Sequence, residues 1–263
     1  MSSTQRIIKI FAYLLAVSII IGICSCIFHL VNYFIPTTEK VVVEDYYKEF
    51  QDVTELELDI NAADLRIEEG NKFSVKAENL VSKIKVKEED GLLKIKQNKV
   101  RVINRSAGSI VITIPSELDR FTFDGGAGTV DIEDLKAKKA KISLGFGNVK
   151  ISNIDFGSTK ISGGAGKIEI EKALIKDLQL SAGAGNVKIN SELKGDSEID
   201  CGAGEVDIIL LGGEDNYKIR AEKGLGNLTI NNKNYGDEIT YGNGKNLVKV
   251  EGGMGNINIR FQK

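Results

Sequence analysis

Tryptophan is absent from the 263-residue sequence, which also holds a single histidine, two prolines and three cysteines. The histidine, His29, lies in an apolar N-terminal run. Everything after it therefore lacks the imidazole on which most acid–base and metal chemistry relies. His29 itself stands near the end of that run, where it can reach an interface neutral, and reads as a bystander. Cys24 and Cys26 share the run and Cys201 is alone, so no disulfide framework can be built. Cys201 occupies a position where other repeats carry Gly163, Ala182 and Ala221, and reads as a small buried residue rather than a reactive thiol. Few prolines suit β-ladders, which proline interrupts. Excess charge is missing too: the formal net charge is −2. Arg6 and Lys9 are the only charged residues among the first 36, leaving 33 basic against 37 acidic residues beyond them. That balance provides no basic field for nucleic acid.

What the N-terminus does have is length of apolar chain. Ile10 to Phe34 contains no Asp, Glu, Lys or Arg. As a helix it would measure about 37 Å, enough to cross a ~30 Å hydrocarbon layer with some tilt. Basic residues precede it, and Glu39, Lys40, Glu44 and Asp45 follow it. The positive-inside rule then puts the N-terminus in the cytoplasm and the rest outside the cell membrane, as a single-pass protein. A cleaved signal peptide would have a shorter apolar region and a small-residue site. A lipoprotein signal finds only the poor box Ile23-Cys24-Ser25-Cys26. An uncleaved anchor over residues 1–36 is the leading reading, followed by a juxtamembrane linker at 37–52 that holds Tyr46, Tyr47 and Phe50, with the two tyrosines placed to rest at the interface.

Glycine is plentiful, with 28 residues, and much of it falls in one repeat. Gly126-Ala127-Gly128-Thr129-Val130-Asp131-Ile132 returns at Gly145, Gly164, Gly183 and Gly202, each 19 residues on, then at Gly224 and Gly253 after 22 and 29. A fixed period near 20 with period-two alternation marks stacked coils that bury one another's apolar face. The expected fold is all-β: a single-stranded parallel β-helix, or β-solenoid, with ~19-residue coils, over residues 116–263. Residues 53–115 form an N-terminal β cap and first coils, with Asn61-Ala62-Ala63-Asp64-Leu65-Arg66-Ile67 a glycine-free repeat. One inward column runs Val130/Ile132, Val149/Ile151, Ile168/Ile170, Val187/Ile189, Val206/Ile208, Leu228/Ile230 and Ile257/Ile259. A second runs from Phe121/Phe123 through Ser197/Ile199, Tyr217/Ile219 and Val248/Val250. The residue between the glycines is apolar in all seven copies and is expected to plug the core at the bend. Asp131, Lys150, Glu169, Lys188 and Asp207 alternate in sign along an outward column, which stacking in register would turn into an ion-pair ladder.

Sites of chemistry are harder to find. The calcium nonapeptide pattern fails because its aspartate is replaced by Val130, Val149, Ile168, Val187 and Val206. The glycines lack the third glycine and the helix of a dinucleotide loop. No metal or cofactor is expected. Charged clusters such as those of polysaccharide-cleaving β-helices are better read here as a solvated ladder, so an enzyme is not expected. The period fails at 231–246, and insertions in repeat proteins form protruding loops. Tyr235, Asp237, Tyr241 and Asn243 are the candidate binding residues there, for stacking on and hydrogen bonding to sugars; a plain surface loop is the alternative. The final strand, Asn256 to Phe261, has only two residues after it and is expected to leave an exposed edge, guarded by Arg260 and Lys263 or covered by another chain.

Ile112-Thr113-Ile114-Pro115, then Leu118 and Phe121, then repeated Gly-x-Gly-x-Val-x-Ile coils behind one apolar segment, resemble the adhesin-like β-strand-repeat family of bacteria, a family of unknown function. The resemblance covers roughly residues 50–263. It implies a β-helix outside the cytoplasm, often linked to envelope stress regulation, and it transfers no site residues. The expected function is a non-enzymatic scaffold binding cell-envelope polymers or protein partners. A membrane-anchored regulator of envelope signalling is the alternative, and a polysaccharide-processing enzyme a lower one.

Overall fold

Alternation of apolar and polar residues becomes strand almost everywhere in residues 45–98 and 108–263, which the computed structural model describes. The expected anchor and the linker before residue 45 lie outside these residues. Among the described residues no helix is long and apolar enough to cross a membrane, and all of them fall within one compact unit. The protein is all-β and solenoid-like.

The first seven strands are β1 (Tyr46–Phe50), β2 (Glu55–Ala62), β3 (Asp64–Glu69), β4 (Phe73–Glu78), β5 (Ile84–Glu89), β6 (Leu92–Gln97) and β7 (Ser109–Ile114). Three long strands follow, β8 (Leu118–Glu133), β9 (Lys136–Ser152) and β10 (Asp155–Lys194). Each carries its pairing straight through the Gly-x-Gly corner. β8 pairs with β9, and β9 with β10, in parallel and 19 residues apart, so Val130 lies beside Val149 and Ile161 beside Ile142. Both inward columns are buried along their length, from Phe121, Val130 and Ile132 at 0% exposure to Val187 at 1%. The ladder column is also in register: Asp131 adjoins Lys150, Lys150 adjoins Glu169 and Lys188 adjoins Asp207. Lys188 reaches Glu169 at 2.9 Å and Glu171 at 3.0 Å.

The glycines at the corner have two different causes. The second of each pair takes a positive φ, +138° at Gly166, which L side chains rarely adopt. In addition, the coil below leaves no room: a Cβ on Gly166 would stand 1.7 Å from the carbonyl oxygen of Gly147. The first glycine has ordinary φ and is fixed by approach alone, as at Gly145, where a Cβ would meet the Gly126 oxygen at 2.7 Å. One residue past the corner, side-chain oxygens bind the next coil's backbone. Asp64, Asn148, Asn186 and Asn256 accept from the N–H of Thr129, Lys167, Glu205 and Asn227.

Stacking order departs from chain order at both ends. β2 and β3 lie between β8 on one side and β6 and β7 on the other, all parallel. The glycine-free repeat is thus a true coil, with Ala62 beside Ala127. β5 on β6, β4 on β7 and β1 on β4 then close this end with antiparallel strands. Residues 46–50, expected in the linker, are β1. Gln97 is fully buried, and its side-chain amide takes the place of a backbone partner. It donates to Ala62 O and accepts from Ala62 N at the one corner whose neighbour strand has ended.

At the other end run β11 (Asp196–Ala203), β12 (Val206–Leu211), β13 (Tyr217–Leu225), β14 (Leu228–Ile230), β15 (Lys233–Tyr235), β16 (Glu238–Tyr241), β17 (Asn246–Met254) and β18 (Ile257–Gln262). The last two are inserted between earlier coils. β17 pairs with β11 and β13, and β18 with β12 and β14, all parallel. The expected bare edge at Asn256–Phe261 is therefore largely covered: the strand is bonded to β12 along its length and to β14 over Ile257–Ile259, because the penultimate coil in sequence is the last in the stack. The pairing also shifts one expected column. Ile219 and Ala221, not Tyr217 and Ile219, stand beside Val248 and Val250. The partner of Gly252, and so the relative of Cys201, is Lys223 rather than Ala221. Cys201 is buried, as expected.

Two stability tests follow from this packing. Gly166→Ala should cost at least about 3 kcal/mol in denaturant unfolding, since both φ and the Gly147 carbonyl oppose it. Gly236→Ala, with nothing within 4 Å of its Cβ, should be neutral; equal effects would discard the close-approach account. Reversing Lys150 and Lys188 together to Glu should lower the melting temperature more at ~50 mM than at ~500 mM salt, because the new repulsion is screened. A loss independent of salt would mean that the ladder contributes no electrostatic stability.

Candidate interaction surface

The corner apex presents its side chains to water. Phe146 is 68% exposed, Leu225 72% and Met254 58%. The expected core plug is thus overturned. Four residues separate the inward positions 125 and 130, and the chain must swing outward between them. The register stacks Ala62, Ala127, Phe146 and Ala165 on successive coils, and likewise Ala184, Ala203, Met254 and Leu225. The result is an apolar ridge along one edge of the solenoid, bordered by glycine on both sides. A sequence signal for it exists. It is the odd spacing of the inward positions 125 and 130, which cannot both be reached by strict alternation.

The sheet face leading into the corner carries two unlike patches. Arg120, Lys139, Lys141 and Lys160 surround a shallow groove of about 340 Å³ together with Ser158 and Gln179. Lys141 sits directly beside Lys160. Arg120 approaches Glu55 at 3.8 Å, while Lys139, Lys141 and Lys160 make no ion pair among the described residues. Farther along the same face, Asp200 adjoins Glu251, Glu251 adjoins Glu222 and Glu222 adjoins Glu238. Glu198 joins them, and carboxylate oxygens of Glu198, Asp200 and Glu251 lie within 4.8 Å of one another. Burial, with Glu198 and Glu251 adding repulsion, pushes the Asp200 carboxyl above its ordinary value. On the ladder side the sign is opposite. Hydrogen bonds from Lys167 and then Lys188 hold Glu169 below the usual range.

The segment 231–246 is a cap instead of a protruding loop. β15 lies antiparallel on β14, and β16 antiparallel on β13, so together they cover the edge of the last coil. Tyr235 and Tyr241 are half-buried and pack edge to face, with centroids 6.2 Å apart. Tyr241 stacks on Phe261 at 6.1 Å, Phe261 packs on buried Tyr217 at 6.0 Å, and the Tyr241 hydroxyl donates to Glu214. Asp237 pairs with Lys223 at 2.8 Å. Asn243 is exposed in the turn between β16 and β17. The four candidate residues thus belong to one end of the rod, but the two rings face each other and Phe261 rather than open solvent. Beside β16 an open groove of about 480 Å³ is lined by Arg220, Glu222, Glu238, Lys249 and Glu251.

Parallel stacking with a Gly-x-Gly corner defines a class of all-β, solenoid-like repeat proteins. The family model described as Toastrack DUF4097 matches residues 53–260, and the chain belongs to that family. Among solved structures, one described as a putative adhesin from Bacteroides fragilis is similar over 82% of this chain and 96% of its own, with TM-score 0.52 and 16% identity. One described as a putative lipid binding protein from Parabacteroides distasonis covers the same shares, with TM-score 0.48 and 18% identity. The first likeness shows the fold. No curated protein matches the chain in sequence.

The acidic patch yields a pH test. A carboxyl whose folded pKa is raised destabilises the ionised native state, and the penalty fades as pH falls through that pKa. Asp200→Asn should therefore raise the melting temperature at about pH 7, with the gain shrinking towards about pH 4. A variant less stable than the parent at neutral pH would show that Asp200 is held by a favourable partner.

Proposed function

We propose that this protein is a non-enzymatic, adhesin-like scaffold, a single-stranded parallel β-helix held at the outer face of the cell membrane by its N-terminal segment, that binds cell-envelope polymers or envelope proteins. The carrying observation is the apolar ridge of Phe146, Met254 and Leu225, three large side chains left in water on an otherwise regular solenoid. Contiguous exposed apolar surface on a soluble domain marks interaction sites. The glycines on either side leave bare, flat backbone, so a long partner can lie along the ridge without steric interruption. Along the ladder column the repeating side chains are stacked opposite charges, an arrangement suited to fixing register and not to moving protons. The similar structure from Bacteroides fragilis is described as a putative adhesin, which agrees with a binding role.

Retention of the full-length chain by purified cell-wall material and by membrane extract separates the two partner classes. Replacing Phe146, Leu225 and Met254 by Ser should abolish retention while leaving the melting temperature within a few degrees, because exposed positions carry little stability. Unchanged retention of the triple variant would remove the ridge as the binding surface.

A further inference from the structure

The charged face has no internal reason for its layout. Like charges on neighbouring strands destabilise a sheet, and the ladder side of the same coils avoids them. Here Lys141 adjoins Lys160 and shares its strand with Lys139, while Asp196 and Glu198 share a strand beyond the middle of the stack, and none of the five makes an ion pair among the described residues. The two patches have opposite sign and lie on either side of the middle of the stack.

From this we infer that the face is a self-association surface whose occupant is a second copy of the chain, packed antiparallel about a twofold axis. The axis runs along the strands and passes between the coils of Ala165 and Ala184. This operator sets the coil of Lys139 and Lys141 against the partner coil of Asp196 and Glu198. Lys141 then faces Glu198 and Lys139 faces Asp196, each pair occurring twice by symmetry. Two coils further out, Glu57, already paired with Lys94, faces Arg220 and adds little. Lys160 meets Gln179 and Thr122 meets Lys249, which are neutral matches. The column nearest the ridge is the exception, since it sets Asp124 against Glu251 and Asp59 against Glu222. Asp59 is already neutralised by Lys96, so Asp124 with Glu251 is the main uncompensated repulsion.

The size of the face is adequate. Eight coils at about 4.8 Å by seven strand residues at about 3.3 Å give roughly 890 Å² per copy, near the ~800 Å² of a standard interface. The axis also brings both apolar ridges to the same margin of the pair, so that a dimer offers a doubled strip. The inference does not depend on what the ridge binds.

The test uses the full-length chain in detergent. Sedimentation should show a concentration-dependent dimer that weakens as salt rises from ~50 to ~500 mM. Reversing Lys139 and Lys141 to Glu should raise its dissociation constant at least about tenfold. The swap K141E with E198K should restore it, since each copy again presents opposite charges. A zero-length carbodiimide should join Lys141 to Glu198 between light and heavy chains in an isotope-mixed sample. Within one chain these residues sit three coils, about 14 Å, apart, so an intramolecular product is not expected. A chain that is monomeric throughout at low salt overturns the inference, as does a dimer indifferent to the reversal, to the swap or to salt. Loss of retention on cell-wall material with the dimer intact would count against the ridge and leave the dimer standing.

Discussion

A carbonyl oxygen lies where a side chain would have to begin, and the solenoid depends on that contact. At the Gly-x-Gly corner each coil rests its backbone directly on the coil below, with Gly147 O so close under Gly166 that no Cβ fits. The approach fixes the rotation of each coil on the next. Once it is fixed, Val130, Val149 and Ile168 fall into one column, and Asp131, Lys150 and Glu169 into another. Shifting any coil by one residue would exchange core for solvent and break both columns at once. The hydrophobic columns provide most of the burial energy, but the corner decides which residues they contain.

Most of this was legible in the sequence because it is local and periodic. Spacing of 19 fixes the pairing, and alternation fixes the inward face. At the apex apolar character does not mean burial, because the four residues between 125 and 130 break the alternation there. Stacking order at the two ends was not legible. Insertion of β17 and β18 between β11–β12 and β13–β14 is a choice of partner, and spacings of 22 and 29 fit either order. The same choice turns 231–246 into an edge cover and assigns Tyr235 and Tyr241 to the closing cluster around Phe261. Gln97 escaped notice for a related reason: its side chain replaces a missing strand, and nothing near it in sequence announces that role.

The two ends solve one problem in the same way. A stack of parallel coils finishes in a row of unpaired backbone groups, which invites further strands. In both cases the chain tucks its outermost coil segment one layer inside and spends an adjacent antiparallel strand pair on the bare edge. β4 and β5 do this at one end, β15 and β16 at the other. The parallel edge is thereby covered, while β1, β5, β15 and β16 each pair on one side only.

The sides differ in kind, and the difference locates function. In the ladder column each charge adjoins one of opposite sign and Lys167 and Lys188 hold Glu169 ionised, so charge there is spent on register. On the opposite face like charges adjoin, Lys141 beside Lys160 and Asp200 beside Glu251, and burial, with acidic neighbours adding to it, drives Asp200 towards its neutral form. Departures from a locally consistent design tend to sit where something outside the chain compensates. The ridge is a second departure of this type, with Phe146 in water while its register neighbours Ala127 and Ala165 show that a smaller residue fits the coil equally well. Two features that cost the isolated domain stability and share one margin of the rod are better explained by contact with partners than by folding. The repeat that builds the corner therefore also builds the surface: by stacking seven copies it turns a single exposed residue into a continuous edge.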